Sequence, residues 1–172
     1  MLYLFVEGSD DSSFFKKVFG NTLGDYFPIE YAKMKEEKIN SLLSSIKAMP
    51  NTDYLFFTDE DGKGIKNKRE ETLKKYQCLS NDRLFIVQYE IESWYYAGIN
   101  QDYSKRLKLS RFQFDTNSLT KEQLNSKIKR LRDRKIIMLQ MLEMFDKQLA
   151  CSRNKSFNSF YKKLKGEPVA VL

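Results

Sequence analysis

The sequence predicts an α/β protein, an open parallel sheet of about four strands with helices on both faces, followed by a helical C-terminal region. Three observations predict it. Three short runs, residues 2–6, 54–57 and 84–87, are apolar along their length rather than alternating, as strands buried on both faces are, and residues 29–32, interrupted by Glu30, are a weaker fourth candidate. The segments between them space their apolar residues three and four apart, the period of an amphipathic helix. After residue 100 the helical spacing continues without another strand-like run.

Residues 2–6 read as the first strand and run into Glu7-Gly8-Ser9-Asp10-Asp11. Ser9 or Asp10 is placed to cap a helix that buries Phe14, Phe15, Val18 and Phe19. Residues 29–32 are a weaker strand. A helix from about Glu36 to Met49 follows, with Ile39, Leu42, Leu43 and Ile46 on one face, and Pro50-Asn51 ends it. The third strand, residues 54–57, stops at Asp59-Glu60-Asp61-Gly62-Lys63-Gly64, and a lysine-rich helix runs from about Lys66 to Tyr76. Residues 84–87 are the fourth strand. A long helix is expected from Asn117 or Thr120 to Leu149, with Ile128, Leu131, Met138, Leu142, Phe145 and Leu149 as its apolar stripe. Residues 155–165 form a last short helix. The expected organisation is an α/β core over residues 1–100 with a basic helical extension over 101–172 packed on it as one compact unit.

Composition narrows the chemistry. With 172 residues, 41% hydrophobic and 31% charged, the chain has enough apolar material for a core. It contains no histidine, which excludes imidazole general bases and histidine-containing metal sites. Cys78 and Cys151 form no CxxC pair and supply neither a four-cysteine zinc site nor a disulfide framework, so a reducing cytoplasm is the expected location. The longest apolar run is the six residues from Met1 to Val6, far short of the roughly 20 that span a bilayer, so no membrane association is expected. The net charge of +7 is unevenly spread. Residues 1–103 carry 13 basic and 17 acidic side chains, whereas residues 104–172 carry 17 basic and 6 acidic. A basic segment joined to an acid-bearing one suits a polyanion held near carboxylates. Lys127, Arg130 and Arg134 fall on one face of the expected long helix and, with Arg153, are the candidate phosphate contacts. Trp94 beside the sheet reads as core, with base stacking as its alternative.

The acids fall where open parallel sheets bind ligands, beyond the carboxyl ends of the strands. Glu7 follows the first strand, Asp59 and Asp61 the third, Glu90 and Glu92 the fourth. Carboxylates gathered in one crevice repel unless cations neutralise them, although acids at strand ends also solvate loops. Oxygen donors without histidine or thiolate favour Mg2+ or Mn2+. Glu90, directly after its strand, is expected nearer the metal, and Glu92 is expected to begin the next helix as a supporting residue. Phosphodiester cleavage develops negative charge on phosphorus, which cations and a positioned lysine can stabilise.

Val6-Glu7-Gly8-Ser9-Asp10-Asp11 at the end of an N-terminal strand, followed by the Asp59-Glu60-Asp61 motif at the end of a later one, resembles the Toprim domain of topoisomerases, primases and nucleases. Tyr89-Glu90-Ile91-Glu92-Ser93-Trp94 and Arg153-Asn154-Lys155-Ser156-Phe157 resemble the small Toprim-like proteins related to the overcoming-lysogenization-defect (OLD) nucleases. The resemblance spans nearly the whole chain, carried by about twenty positions. It implies a Toprim-like, Rossmann-like sheet and a divalent-metal-dependent nuclease in mobile-element or phage defence. Its metal ligands would be Glu7, Asp11, Asp59 and Asp61, with Glu90 added by position and Asp10 beside them. Lys155 would stand near the scissile phosphate, with Glu7 as its catalytic counterpart. Glu60 inside the motif and Gly62-Lys63-Gly64 after it depart from the common pattern. The expected partner is nucleic acid, DNA ahead of RNA, with a partner protein of a defence assembly and a homo-oligomer both compatible with the sequence. Two other classes compete. One is a catalytically idle Toprim-like module that binds nucleic acid or a protein. The other is a phosphatase, because Leu55-Phe56-Phe57-Thr58-Asp59-Glu60-Asp61-Gly62 mimics the nucleophile loop of haloacid-dehalogenase-like enzymes, which would make Asp59 the nucleophile and Asp61 the acid/base.

Overall fold

The computed structural model describes residues 1–109, 115–128 and 130–167. It divides into two compact units, Met1–Ile86 and Val87–Leu172.

The first unit carries the sheet. Strands β1 (Leu2–Val6), β2 (Tyr26–Glu30), β3 (Asp53–Asp59) and β4 (Leu84–Val87) alternate with helices α1 (Ser9–Leu23), α2 (Glu36–Ala48) and α3 (Ile65–Lys75). The strands lie in the order β2-β1-β3-β4, and β1 pairs in parallel with both of its neighbours. Its all-parallel sheet makes this the open α/β fold that the apolar runs predict. Right-handed crossovers then dictate the layers, because the chain steps one way from β1 to β2 and the other way from β2 to β3 and β4. Along β1, Leu4 and Val6 point to one side and Phe5 to the other, as the pleat requires. Phe5, Tyr54, Phe56, Leu84 and Ile86 join Ile39, Leu43 and Ile46 of α2 in one core cluster that also takes in Tyr31 and Tyr76. Phe15 of α1 packs on Phe57, whose ring stacks on Phe85 at 5.1 Å between centroids.

Local chemistry explains the element boundaries. The Asp11 carboxylate reaches back to accept the Gly8 N–H at 3.1 Å, closing the first turn of α1. β2 begins three residues before the expected run. Its register with β1, Leu2 to Tyr26 through Val6 to Glu30, takes up Tyr26 and Phe27 and leaves Tyr31 and Ala32 beyond the strand. Pro28, which lacks an N–H, is tolerated because β2 is an edge strand.

The second unit is helical: α4 (Ile91–Ala97), α5 (Gln101–Arg106), α6 (Lys121–Lys127), α7 (Arg134–Glu143), α8 (Lys147–Arg153) and α9 (Lys155–Leu164). The long helix expected up to Leu149 is not continuous. It is replaced by α6, a 3-10 turn at Leu131–Asp133, α7 and α8. Thr120 caps the start of α6, its hydroxyl accepting the Gln123 N–H. Asp146 sits mid-helix by spacing, yet its carboxylate accepts the Gln148 and Leu149 N–H groups at 2.8 and 3.0 Å and starts a new helix. From the expected stripe, Ile128, Met138 and Leu142 are buried; the Leu131 side chain lies outside the described residues.

All of α4 is buried, and a polar network holds it. The Trp94 indole N–H donates to Ser156 Oγ at 2.8 Å, and the Asn154 amide donates to Ser93 Oγ and Thr116 Oγ1. Asn154 Oδ1 in turn accepts from the Ser156 hydroxyl and the Phe157 N–H. Trp94 is therefore core, with no face presented for base stacking.

Candidate functional site

The strand order places a topological switch point between β1 and β3, where the chain leaves the sheet in opposite directions and opens a crevice at the strands' carboxyl ends. Glu7 stands there. One carboxylate oxygen, Oε1, accepts from the Thr58 hydroxyl at 2.8 Å, the Asp59 N–H at 3.0 Å and the Tyr31 hydroxyl at 3.3 Å. The other, Oε2, accepts no hydrogen bond among the described residues. The Tyr31 hydroxyl shares its single proton between Glu7 and the Phe57 carbonyl, the nearer acceptor at 2.8 Å. Burial, then the charge of Glu7, pushes the Tyr31 pKa well above the ordinary tyrosine value, so the hydroxyl remains a donor.

Glu7 lines a cleft of about 250 Å³. Tyr31 and Met34 beyond β2 wall it, together with Thr58 and Asp61, and α3 contributes Lys68, Glu71, Thr72 and Lys75. Those four α3 positions share one helix face. The loop between β3 and α3 is built to present Asp61. Glu60, 8% exposed, turns inward and accepts the Gly64 N–H at 2.8 Å, while the Lys63 N–H closes onto the Glu60 carbonyl. Asp61 and Gly62 take φ of 55° and 71°, the left-handed region that glycine and aspartate tolerate best. The departures from the usual motif thus have structural work: Glu60 clamps the loop and Gly62 and Gly64 let it turn. Lys68 Nζ pairs with Asp61 Oδ2 at 2.5 Å, and Lys63 pairs with Glu71, lowering the Glu71 carboxyl below its ordinary range.

Asp11 is 5% exposed, and one of its oxygens is spent on the Gly8 N–H; Asp10 lies in the same first turn of α1. Asp59 follows Thr58 at the end of β3 and contributes its N–H to Glu7. Among the described residues no three acid or thiol side chains form a group able to cage a metal. Of the three carboxylates expected to converge, Glu7 and Asp61 line the cleft and Asp59 is not among its lining residues.

The remaining candidates belong to the second unit. Glu90 Oε2 accepts the Lys121 N–H, tying the start of α6 to the residue before α4. Glu92 lies in the first turn of α4 and is 3% exposed; its Oε1 binds the Arg134 guanidinium. Burial raises the Glu92 pKa above the ordinary glutamate range despite that cation. The expected common face of Lys127, Arg130 and Arg134 does not exist, because the helix breaks between them. Lys127 ends α6, Arg130 lies between elements and is exposed, and Arg134 begins α7 and also donates from Nε to Asn125 Oδ1. Arg153 donates to the Ile99 carbonyl at 2.6 Å. Lys155 opens α9 with its side chain exposed. The two late stretches, Ser93-Trp94 and Asn154-Ser156, meet in the network that buries α4.

Sequence reasoning passed over Tyr31, Thr58, Lys68, Glu71 and Lys75. Thr58 carried a readable signal, being a hydroxyl directly before the strand-end aspartate. Tyr31 did not, because an aromatic in a strand-like run reads as core, and the lysines of α3 look like any solvated face. Compared with protein-family models, curated proteins and solved structures, the chain matched none.

Proposed function

We propose that this protein is a Toprim-type, Mg2+- or Mn2+-dependent phosphodiester hydrolase acting on nucleic acid, DNA ahead of RNA. The observation that carries the proposal is Glu7 at the switch point, with one oxygen fixed by three donors and the other without a hydrogen-bond partner among the described residues. A carboxylate so oriented is a preorganised ligand, because nothing need reorganise before it takes a cation. Glu7, Asp59 and Asp61 would hold the ion, which supplies positive charge at the phosphate and a more acidic water. Lys68 and Lys75 on the α3 face bring cationic charge to the cleft for non-bridging oxygens. The excess of basic residues beyond 104, with Lys155 exposed at the start of α9 among them, would supply contacts to the polymer backbone. A cytoplasmic role in defence against mobile elements, alone or with a partner protein, is part of the same reading.

A second reading, an idle module that binds nucleic acid or protein, is favoured by one observation: Asp61 is already neutralised by Lys68. Supercoiled plasmid incubated with Mg2+ or Mn2+ separates the two. The hydrolase reading expects nicking that falls at least about tenfold in Glu7→Gln, roughly 1.4 kcal/mol of transition-state stabilisation, with polynucleotide binding retained. Salt-dependent binding without cleavage in either metal would establish the idle module instead. Hydrolysis of a small phosphomonoester, lost in Asp59→Asn, would return the phosphatase assignment.

A further inference from the structure

Lys68 and Asp61 form an unequal pair. The lysine side chain is 12% exposed and the aspartate side chain 48%. A lysine side chain so enclosed brings its ammonium to the cleft wall with little freedom to turn elsewhere, whereas a half-exposed carboxylate is solvated with or without its partner. The pair therefore serves the lysine more than the aspartate. Among the described residues Asp61 Oδ2 accepts from Lys68 at 2.5 Å and Oδ1 accepts no hydrogen bond, so the lysine holds one of the oxygens that would otherwise face a cation. Lys75, a full two turns along the same face of α3, lines the same cleft but forms no ion pair among the described residues. Its ammonium instead lies 5.2 Å from the Tyr76 ring centroid.

We propose that Lys68 is a displaceable counter-cation of Asp61: a divalent ion and the ammonium compete for the same carboxylate, and the displaced ammonium becomes the cleft's ligand for a substrate phosphodiester. This rests on the metal-dependent reading above. Once an ion takes Asp61, the ammonium held at the cleft wall has lost its anion, and a phosphate entering the cleft supplies one. Metal loading and substrate arrival then favour each other, since each removes the cost that the other leaves.

The test uses the whole chain and Mn2+ alone, following the free aqueous ion by electron paramagnetic resonance, with plasmid nicking measured separately. Lys68→Met keeps the apolar stem and removes the charge. It should tighten Mn2+ binding by about three- to fivefold, the upper range of what a partly exposed ion pair withholds, while slowing nicking at least about tenfold. Lys75→Met removes an equal charge from the cleft without freeing Asp61 and should shift Mn2+ affinity less than about twofold, because solvent screens it. Lys68→Gln repeats the measurement with a polar side chain should the methionine variant fail to fold. Equal tightening by the Lys68 and Lys75 variants would reduce the effect to general electrostatics and overturn the competition. Unchanged or weaker Mn2+ binding in both Lys68 variants, with the wild-type chain binding Mn2+ and nicking plasmid, would overturn the proposal and leave the hydrolase reading standing. A wild-type chain that neither binds Mn2+ nor nicks would remove both.

Discussion

Arg134→Met distinguishes a structural cation from a polynucleotide contact. The Arg134 side chain is 18% exposed and the Glu92 side chain it binds is 4% exposed. Methionine retains length and apolar volume but loses the charge, the bond to Glu92 and the 2.8 Å bond to Asn125. A carboxylate left buried without its cation costs about 3–5 kcal/mol, and the lost bond from Arg134 to Asn125 is a separate term of about 1 kcal/mol that does not depend on the protonation of Glu92. The loss depends on pH with a definite sign. Burial already raises the folded-state pKa of Glu92 above its unfolded value of about 4.3, so the stability attached to its protonated form is complete below that value. It is lost as pH rises through the folded pKa. Arg134 lowers the folded pKa, so its removal raises it further and leaves Glu92 protonated over a wider range. Urea unfolding should therefore show the full deficit near about pH 8, shrinking toward about 1–2 kcal/mol near about pH 5 as Glu92 takes up its proton. Glu92→Leu combined with Arg134→Met should recover most of the stability, since paired apolar replacement of a buried ion pair is often neutral or better. A deficit that is the same at both pH values, or below about 1 kcal/mol at both, would refute the argument. Polynucleotide affinity of the folded variant that fell as steeply as its stability would restore Arg134 to the binding surface.

Two further outcomes follow from close contacts in each unit. Thr58→Val removes the shortest donor to Glu7 at nearly constant volume; it should weaken Mn2+ binding and slow nicking several-fold while costing about 1 kcal/mol in denaturant unfolding, and an unchanged Mn2+ titration would show that Glu7 needs no such orientation. Gly98→Ala places a methyl carbon 2.5 Å from the Phe145 ring, which packs against Phe157 at 5.6 Å between centroids. It should cost about 1–3 kcal/mol by overpacking and be partly relieved by Phe145→Leu, whereas wild-type stability in the single variant would show that the ring has room to move.

The sequence by itself determined the sheet and the strand-end placement of the acids, because both depend on local signals. Continuous apolar runs mark β1 and β4 residue for residue, and the segments between strands mark the start of α1 and both ends of α2 and α3 to within a residue. Glu7, Asp59 and Asp61 follow from where those runs stop. Tertiary structure alone decided the rest. Strand order put β1 beside β3, and only that adjacency let Thr58 and Asp59 grip Glu7 across 51 and 52 residues of chain. Asp146 begins a helix that apolar spacing runs straight through, since spacing registers which face a residue occupies and not whether its carboxylate caps the next turn. The acids and cations of the second unit could not be assigned from charge, because a charged side chain is the same letter whether it faces water or a buried partner. Glu92 with Arg134, and Arg153 with the Ile99 carbonyl, are held inside that unit by contacts 42 and 54 residues apart, and no local pattern encodes a pairing at that distance.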